Sequence, residues 1–182
     1  MKLKHNYKLY FSNGSDVRKN MSKEDFQKML KPLKEFGTIE DFWDSFLHLK
    51  LPTQLSLKSK IFVFKKHIFP SWEDDHNKDG GRVYIKLPLN PETDEIWQNS
   101  VIEFLCSFRD DYYDGMINGI ELNIRNPQSI SIALWINHSD YRDAKDFFFY
   151  VKKLIPLPKA VEFDFSQHPR KYYHVKKMDK KD

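Results

Sequence analysis

Alternation of apolar and polar residues, together with short apolar runs bounded by turn residues, predicts the strands of this chain. The clearest are residues 7–11, 60–66, 82–87, 118–125, 130–136 and 160–166. The fourth and fifth flank the turn sequence NPQS, so they predict a β-hairpin. This run of strands indicates a mainly antiparallel sheet.

Apolar residues three and four apart predict three helices. The first starts at Thr38, which forms a capping-box-like pattern with Asp41, and the others cover about 94–108 and 141–154. Residues 22–36 are ambiguous, because Pro32 would break a helix there. We favour a loop to about residue 28 and a strand after it. The predicted fold is α+β, a curved antiparallel sheet with three helices on one face and the other face open.

Composition limits the domain organisation. A chain of 182 residues with 40% hydrophobic and 31% charged residues predicts one domain, with a core at about 7–168 and a disordered Lys-rich tail at 169–182. The 15 Phe, 9 Tyr and 4 Trp make aromatic rings unusually common. Most of them are expected in the core.

Charge and cysteine content exclude some classes of protein. The net charge of +4 permits an anionic partner without requiring one. No apolar run is long enough to span a bilayer and the first residues do not form a signal peptide, so an intracellular protein is expected. Cys106 is the only cysteine, which excludes an internal disulfide, and its apolar neighbours predict that it is buried.

One loop carries chemistry of its own, in the sequence PSWEDDHNKDGGRVYI at residues 70–85. Trp72 offers a flat ring, Glu73 offers a carboxylate that can accept both donors of a guanine edge, and Arg82 suits phosphate. The loop also permits two simpler interpretations. Trp72 could be packing beside a solvated acidic turn, or the three consecutive acids could bind a divalent metal, although adjacent loop acids seldom converge.

Four stretches in this order, FGTIEDFW, PSWEDDHNKDGGR, GIELNIR and IALW, resemble the mRNA cap-binding translation initiation factor 4E family over residues 7–168. The resemblance implies a cupped sheet with helices on its convex face and a cap slot on the concave face. It implies no enzyme activity, no cofactor and no metal. The implied partners of a monomer are the 7-methylguanosine triphosphate cap and scaffold or repressor proteins that carry a Tyr-x-x-x-x-Leu-apolar helix, without a membrane.

The resemblance also implies site residues, in three groups. The base of the cap is expected to contact Phe26, Trp72, Glu73 and Trp135. The phosphates are expected to contact Arg82, Arg125 and Lys171. The scaffold is expected to contact Ile39, Trp43, Trp97 and Ile102.

This sequence departs from the family pattern at several of these positions. Phe26 stands where most members have a Trp, which predicts a weaker sandwich by about 1 kcal/mol. Ser131 replaces a Lys that contacts phosphate, and Gln98 and Asn99 replace a Leu and an acid on the partner surface. Cap binding is therefore better supported than partner binding.

Three alternatives to a cap-binding initiation factor remain open. The first is a repressor that binds the cap without engaging the scaffold. The second is a hydrolase using Asp74, Asp75, Asp110 and Asp111, although no catalytic spacing is evident. The third is a structural domain with incidental aromatic residues. The cytoplasm, with the nucleus as a further possibility, is the expected location.

Overall fold

Seven strands form one curved, open sheet in the computed structural model, which describes residues 1–14 and 23–168. The strands are β1 (Lys2–Asn13), β2 (Lys31–Thr38), β3 (Ser59–Lys65), β4 (Gly81–Pro88), β5 (Ile117–Asn126), β6 (Ser129–Ile136) and β7 (Asp164–Gln167). Their order across the sheet is β2-β1-β3-β5-β6-β4-β7, and every neighbouring pair is antiparallel. The predicted sheet and the predicted β5–β6 hairpin are confirmed.

Within these described ranges, five α-helices accompany the sheet: α1 (Lys23–Met29), α2 (Ile39–Phe46), α3 (Pro91–Leu105), α4 (Asp111–Met116) and α5 (Tyr141–Leu154). The hydroxyl of Thr38 accepts the Asp41 N–H at 3.1 Å, so the predicted cap of α2 is present. Asn90 caps α3 and Asp140 caps α5 in the same way. The predicted range of α5 is the observed one.

The main core lies between the sheet and the three longer helices. Alternate residues of the strands, such as Val63, Ile85 and Ile132, share one buried cluster with Phe42 of α2, Phe104 of α3 and residues of α5. The two-residue period of each strand sends these side chains to the same face. This face is therefore covered by helices, as predicted.

The opposite face carries a second and smaller cluster. Its buried members are Tyr10, Leu30, Phe62, Phe64, Ile68, Ala133 and Trp135. Phe26, Phe69, Trp72 and Tyr84 pack against them and stay partly exposed. No long helix covers these side chains among the described residues, so this face is the open one.

Three local expectations are wrong. Residues 23–28 belong to helix α1 and not to a loop, since Pro32 lies beyond the end of that helix, inside β2. Helix α4 was not predicted. Cys106, just after the end of α3 at Leu105, is exposed and not buried as expected. None of the helices in the described ranges has the length and apolar character that crossing a bilayer requires. The Lys-rich tail at 169–182 lies outside the described residues.

Candidate functional site

Cross-strand pairing arranges the side chains of the open face in rows. Three successive rows are Arg82, Trp135, Gly119, Phe64 and Lys8; then Tyr84, Ala133, Glu121, Phe62 and Tyr10; then Lys86, Ser131, Asn123, Lys60 and Ser12. Neighbouring rows lie about 7 Å apart, since each is two residues further along the strands. The first two rows form an aromatic end of the face, with Arg82 and Lys8 at its margins, whereas the third row, about 14 Å from the first, is polar and basic.

Trp135 stands at the centre of the aromatic end. Phe64 meets its indole edge to face at 5.4 Å between ring centroids, and His168 lies 4.7 Å from it. The Phe64 ring can lie there because Gly119 has no side chain, since a Cβ at that position would come within 2.4 Å of the ring. The guanidinium of Arg82 lies over the indole at 5.0 Å. The ring is therefore fixed from several sides.

The loop between β3 and β4 is organised by Asn77, which is fully buried. Its side-chain amide donates to the carbonyls of Phe69 and Ser71 at 3.0 and 2.9 Å, and its Oδ1 accepts from Asn118 of β5 at 2.8 Å. The Nδ1 atom of His168 lies 2.6 Å from the Asn77 carbonyl. These bonds tie the loop to the sheet and fix the segment that carries Trp72 and Glu73.

Phe26 and Trp72 reach the same cluster from different directions. Phe26 comes from α1 and Trp72 from the loop, and both rings are half-buried. Within the described residues, neither ring forms a stacked or an edge-to-face pair with another aromatic ring. Both rings therefore pack against the cluster that contains Trp135, on the open face, and their role as a pair of stacking rings stays a prediction.

Glu73 follows Trp72 and its carboxylate is half-buried. No hydrogen bond or ion pair to this carboxylate is formed by any residue in the described ranges. The neighbouring acids differ, because Asp74 accepts the backbone N–H groups of Phe69 and His76 at 3.0 and 2.9 Å, and Asp75 pairs with Lys78 at 2.9 Å. The three acids therefore do not converge, which leaves Glu73 available for a ligand.

A buried acid and its cations were missed by sequence reasoning. Glu121 of β5 is 3% exposed, and its carboxylate accepts the Trp135 indole N–H at 3.0 Å and the Lys60 ammonium at 2.9 Å. Arg82 lies 3.8 Å away. Burial acts to raise the pKa of Glu121, but the charges of Lys60 and Arg82 outweigh it and lower that pKa. The signal was present in the sequence, since Glu121 alternates with the apolar residues of β5.

Basic side chains continue beyond the third row. Lys58, Lys60, Asn123 and Arg125 line a surface pocket of about 330 Å³. Arg125 and Lys58 are exposed, and neither forms an ion pair with an acid in the part of the chain that the structure describes. Ser131 is 2% exposed, so its hydroxyl cannot replace a long basic side chain. Lys171, the third predicted phosphate contact, lies outside the described residues.

The predicted scaffold surface lies on the helical side. Trp43 is 36% exposed, and Ile39 and Ile102 are half-buried, so these three side chains are accessible. Trp97 is 2% exposed and belongs to the core beneath α3, so its contribution to a scaffold surface stays a prediction. The Trp97 ring can support a partner surface only by packing beneath the residues that form it.

Comparison with known proteins decides the family. The model of the family described as "Eukaryotic initiation factor 4E" matches residues 2–182. The chain belongs to this family. The initiation factor 4E of Candida albicans is 30% identical over 149 residues, which are 80% of this chain and 70% of that protein. The factor of Bos taurus is 30% identical over 154 residues, or 82% and 70% of the two chains.

A solved member of the initiation factor 4E family has the same fold. The structure described as a complex of Caenorhabditis elegans eIF4E-3 with the 4E-binding protein Mextli and cap analog aligns with a TM-score of 0.78, at 24% identity, over 92% of both chains. Membership of a family of initiation factors agrees with the prediction that the chain is not an enzyme. No group of three or more His, Cys, Asp or Glu side chains within residues 1–14 and 23–168 could hold a metal ion.

Proposed function

We propose that this protein binds the 7-methylguanosine cap of mRNA on its open face and acts as a translation initiation factor. One observation supports the proposal: two half-buried rings, Phe26 and Trp72, come from separate segments and pack against the cluster that contains Trp135, and the residue after Trp72 has a carboxylate without a described partner. Such a constellation suits a flat cationic base with donors on one edge. Its family and the cap analog bound by the Caenorhabditis relative support the same ligand.

In this proposal the base is recognised by its faces and its edge. The rings of Phe26 and Trp72 stack on the two faces, and Trp135 contacts the N7 methyl group. Glu73 accepts the N1–H and the exocyclic amine. The backbone N–H of Trp72 donates to O6, because the Glu73 N–H already donates to the Ser71 hydroxyl at 3.3 Å. Methylation at N7 makes the base a cation, which adds about 1–2 kcal/mol to stacking.

The phosphates extend over the basic end of the face. Arg82 is available for this role, since its side chain is partly exposed and its nearest acid among the described residues, Glu121, lies 3.8 Å away. Arg125 lies at the far end of β5, beside the pocket of Lys58 and Lys60. Lys171 stays a predicted contact. Arginine suits these positions because its planar fork binds two phosphate oxygens at once.

The helical side is assigned to protein partners. Trp43, Ile39 and Ile102 supply an accessible apolar surface for a Tyr-x-x-x-x-Leu-apolar helix of a scaffold protein, and Trp97 supports it from the core. A cap-binding repressor that does not engage the scaffold is the second candidate. It is favoured by Gln98 and Asn99, which are half-buried and polar at positions where the family has a Leu and an acid. We assign the protein to the cytoplasm, as a monomer.

The deciding experiment is a titration followed by tryptophan fluorescence. We expect 7-methylguanosine triphosphate to quench the emission at concentrations about tenfold or more below those required for GTP. Trp72→Ala should abolish most of the quenching, whereas Trp43→Ala should preserve it, because Trp43 lies on the other side of the sheet. Equal affinity for the two nucleotides would contradict cap binding.

A second titration separates the initiator from the repressor. A fluorescent peptide with the Tyr-x-x-x-x-Leu-apolar pattern should bind the wild-type protein and lose binding to Trp43→Ala. Loss of affinity confined to Trp43→Ala, with cap binding intact, supports scaffold recruitment. Absence of peptide binding to the wild-type protein would favour the repressor.

A further inference from the structure

Glu121 places a negative charge at the edge of the Trp135 indole, on the face of the sheet that holds the proposed cap slot. Its carboxylate lies in the second row of the open face, between Phe62 and Ala133 in the cross-strand register. One oxygen accepts the indole N–H of Trp135 at 3.0 Å and the other accepts the Lys60 ammonium at 2.9 Å. The same acid thus contacts a ring expected to meet the base and a cation that lines the basic pocket.

Stability alone does not explain a carboxylate at this position. Its neighbours in the row are apolar, and replacing a buried ion pair by well-packed apolar side chains is often neutral or stabilising. A carboxylate here therefore points to a role in binding. Because it is 3% exposed, water and salt screen its charge less than they screen a carboxylate at the surface.

The charge acts in opposite directions on the two ends of a cap. A methylated base is a cation, so a carboxylate at the edge of Trp135 attracts it, and the hydrogen bond from the indole to an anion makes the ring more electron-rich. The phosphate chain is an anion. Glu121 repels it and also neutralises Lys60, whose ammonium has further N–H groups that could donate to phosphate.

We propose that Glu121 is a specificity-determining residue, which raises the preference for the methylated base and limits the contribution of the phosphate chain. This inference rests on the proposed cap-binding function. Lys60 has the opposite effect on the phosphates. Its ammonium positions the Glu121 carboxylate at the slot, and the part of its charge that is not neutralised attracts the phosphate chain. The balance between the two side chains sets how much of the affinity comes from each end of the ligand.

The test compares two affinity ratios in Glu121→Gln with those of the wild-type protein, by fluorescence or calorimetric titration. The first ratio, the Kd of GTP over that of 7-methylguanosine triphosphate, should fall about threefold or more. The second, the Kd of 7-methylguanosine monophosphate over that of the triphosphate, should rise by a similar factor. A role limited to holding Trp135 in place would not raise the second ratio, so an unchanged second ratio would overturn the proposal.

Lys60→Met provides a second variant, on a side chain that is partly exposed. This variant should lower the second ratio, which reports the contribution of the phosphates, without lowering the first ratio, which reports the preference for the methylated base. A rise of the second ratio in Lys60→Met, as expected for Glu121→Gln, would overturn the proposal. This variant also keeps the proposal testable if Glu121→Gln does not fold.

Glu103→Gln is the matched control. Glu103 is likewise a buried acid, at 6% exposure, and is paired with Arg109, but it lies on α3 on the opposite side of the sheet. Both ratios should stay within about twofold of the wild-type values, since its charge is far from the slot. If both ratios shift in Glu103→Gln as they do in Glu121→Gln, the shifts come from the loss of any buried charge, and the proposal for Glu121 is contradicted. A wild-type protein that does not prefer the methylated nucleotide would instead contradict the proposed function itself.

Discussion

The two faces of the sheet are made by the same strands and have opposite properties. In β6, Ile130, Ile132 and Leu134 point into the core beneath the helices, whereas Ser131 and Trp135 point to the open side. The helical face joins dozens of apolar side chains in one buried cluster, and the open face has a small aromatic cluster with charged neighbours. Alternation along a strand thus separates the residues that stabilise the fold from those available for a ligand.

This separation has a physical basis. A buried apolar residue contributes stability by leaving water, and it needs no specific partner. A binding face must keep rings half-exposed and charged groups incompletely paired, which lowers stability or leaves it unchanged. In this protein the burial that stabilises the fold lies on the helical side of the sheet. The half-exposed rings and incompletely paired charges, which do not stabilise it, lie on the open side. Mutations on the two sides should therefore affect different measurements.

The largest expected effect is on the helical face. Trp97→Ala should lower the free energy of unfolding by about 3–5 kcal/mol, because it removes a buried ring and leaves a cavity. Denaturant unfolding measures the change. Trp43→Ala, also on the helical side but exposed, should stay within about 1 kcal/mol of the wild type. A loss in Trp97→Ala as small as that expected for Trp43→Ala would show that the core does not depend on Trp97.

The next effect is on binding at the open face. Glu73→Ala should weaken binding of 7-methylguanosine triphosphate by about 1.5–3 kcal/mol, the typical contribution of hydrogen bonds to a charged group. Stability should change little, since this carboxylate has no described partner in the folded chain. Asp75→Ala, on the same loop, serves as the control and should bind nearly normally. Binding by Glu73→Ala as tight as that of the wild type would contradict the proposal that Glu73 recognises the edge of the base.

A smaller effect should be a gain. Phe26→Trp should tighten binding of the methylated nucleotide by up to about 1 kcal/mol, because indole has the stronger attraction for a cation. The gain should be smaller for GTP, whose base is uncharged. Titration of both nucleotides measures the difference. An equal gain for both would indicate added contact area and not a cation–π effect.

The smallest effect concerns pH and the support of the open face. Burial lowers the pKa of His168, and the Arg82 charge acts in the same direction. The unfolded chain therefore takes up a proton more readily, so stability is complete above about pH 6.5 and falls as the pH drops toward the folded-state pKa. His168→Gln should lose this part of the pH dependence in denaturant unfolding. His48→Gln, at an exposed histidine, should retain it.

Strong local patterns gave most of the fold. The two-residue period of β5 and β6 and the apolar stripe of α5 left few alternatives, and these elements lie where the sequence places them. Helix α1 is different, since it has only seven residues and a proline soon after its end. Short helices of this kind depend on tertiary packing, here of Phe26 on the open face, which no local pattern contains.

The site was predicted less evenly. Trp72, Glu73 and Arg82 stand out in the sequence because they surround one polar loop, and the family resemblance supplied Phe26. Trp97 and Ile102 both belong to α3, and only the docking of that helix decides that the first is core and the second is accessible. The partners of Glu121 come from three other strands, so the ion-pair cluster exists only once the sheet is assembled.

The buried amide of Asn77 has a consequence for kinetics. By joining the β3–β4 loop to β5, it keeps Trp72 and Glu73 in place before any ligand arrives. Little conformational entropy of this loop is then lost on association, and closure of the β3–β4 loop does not limit the rate. Ligand capture should consequently follow diffusion and ionic strength, and differences in affinity among nucleotides should appear chiefly as differences in dissociation rate.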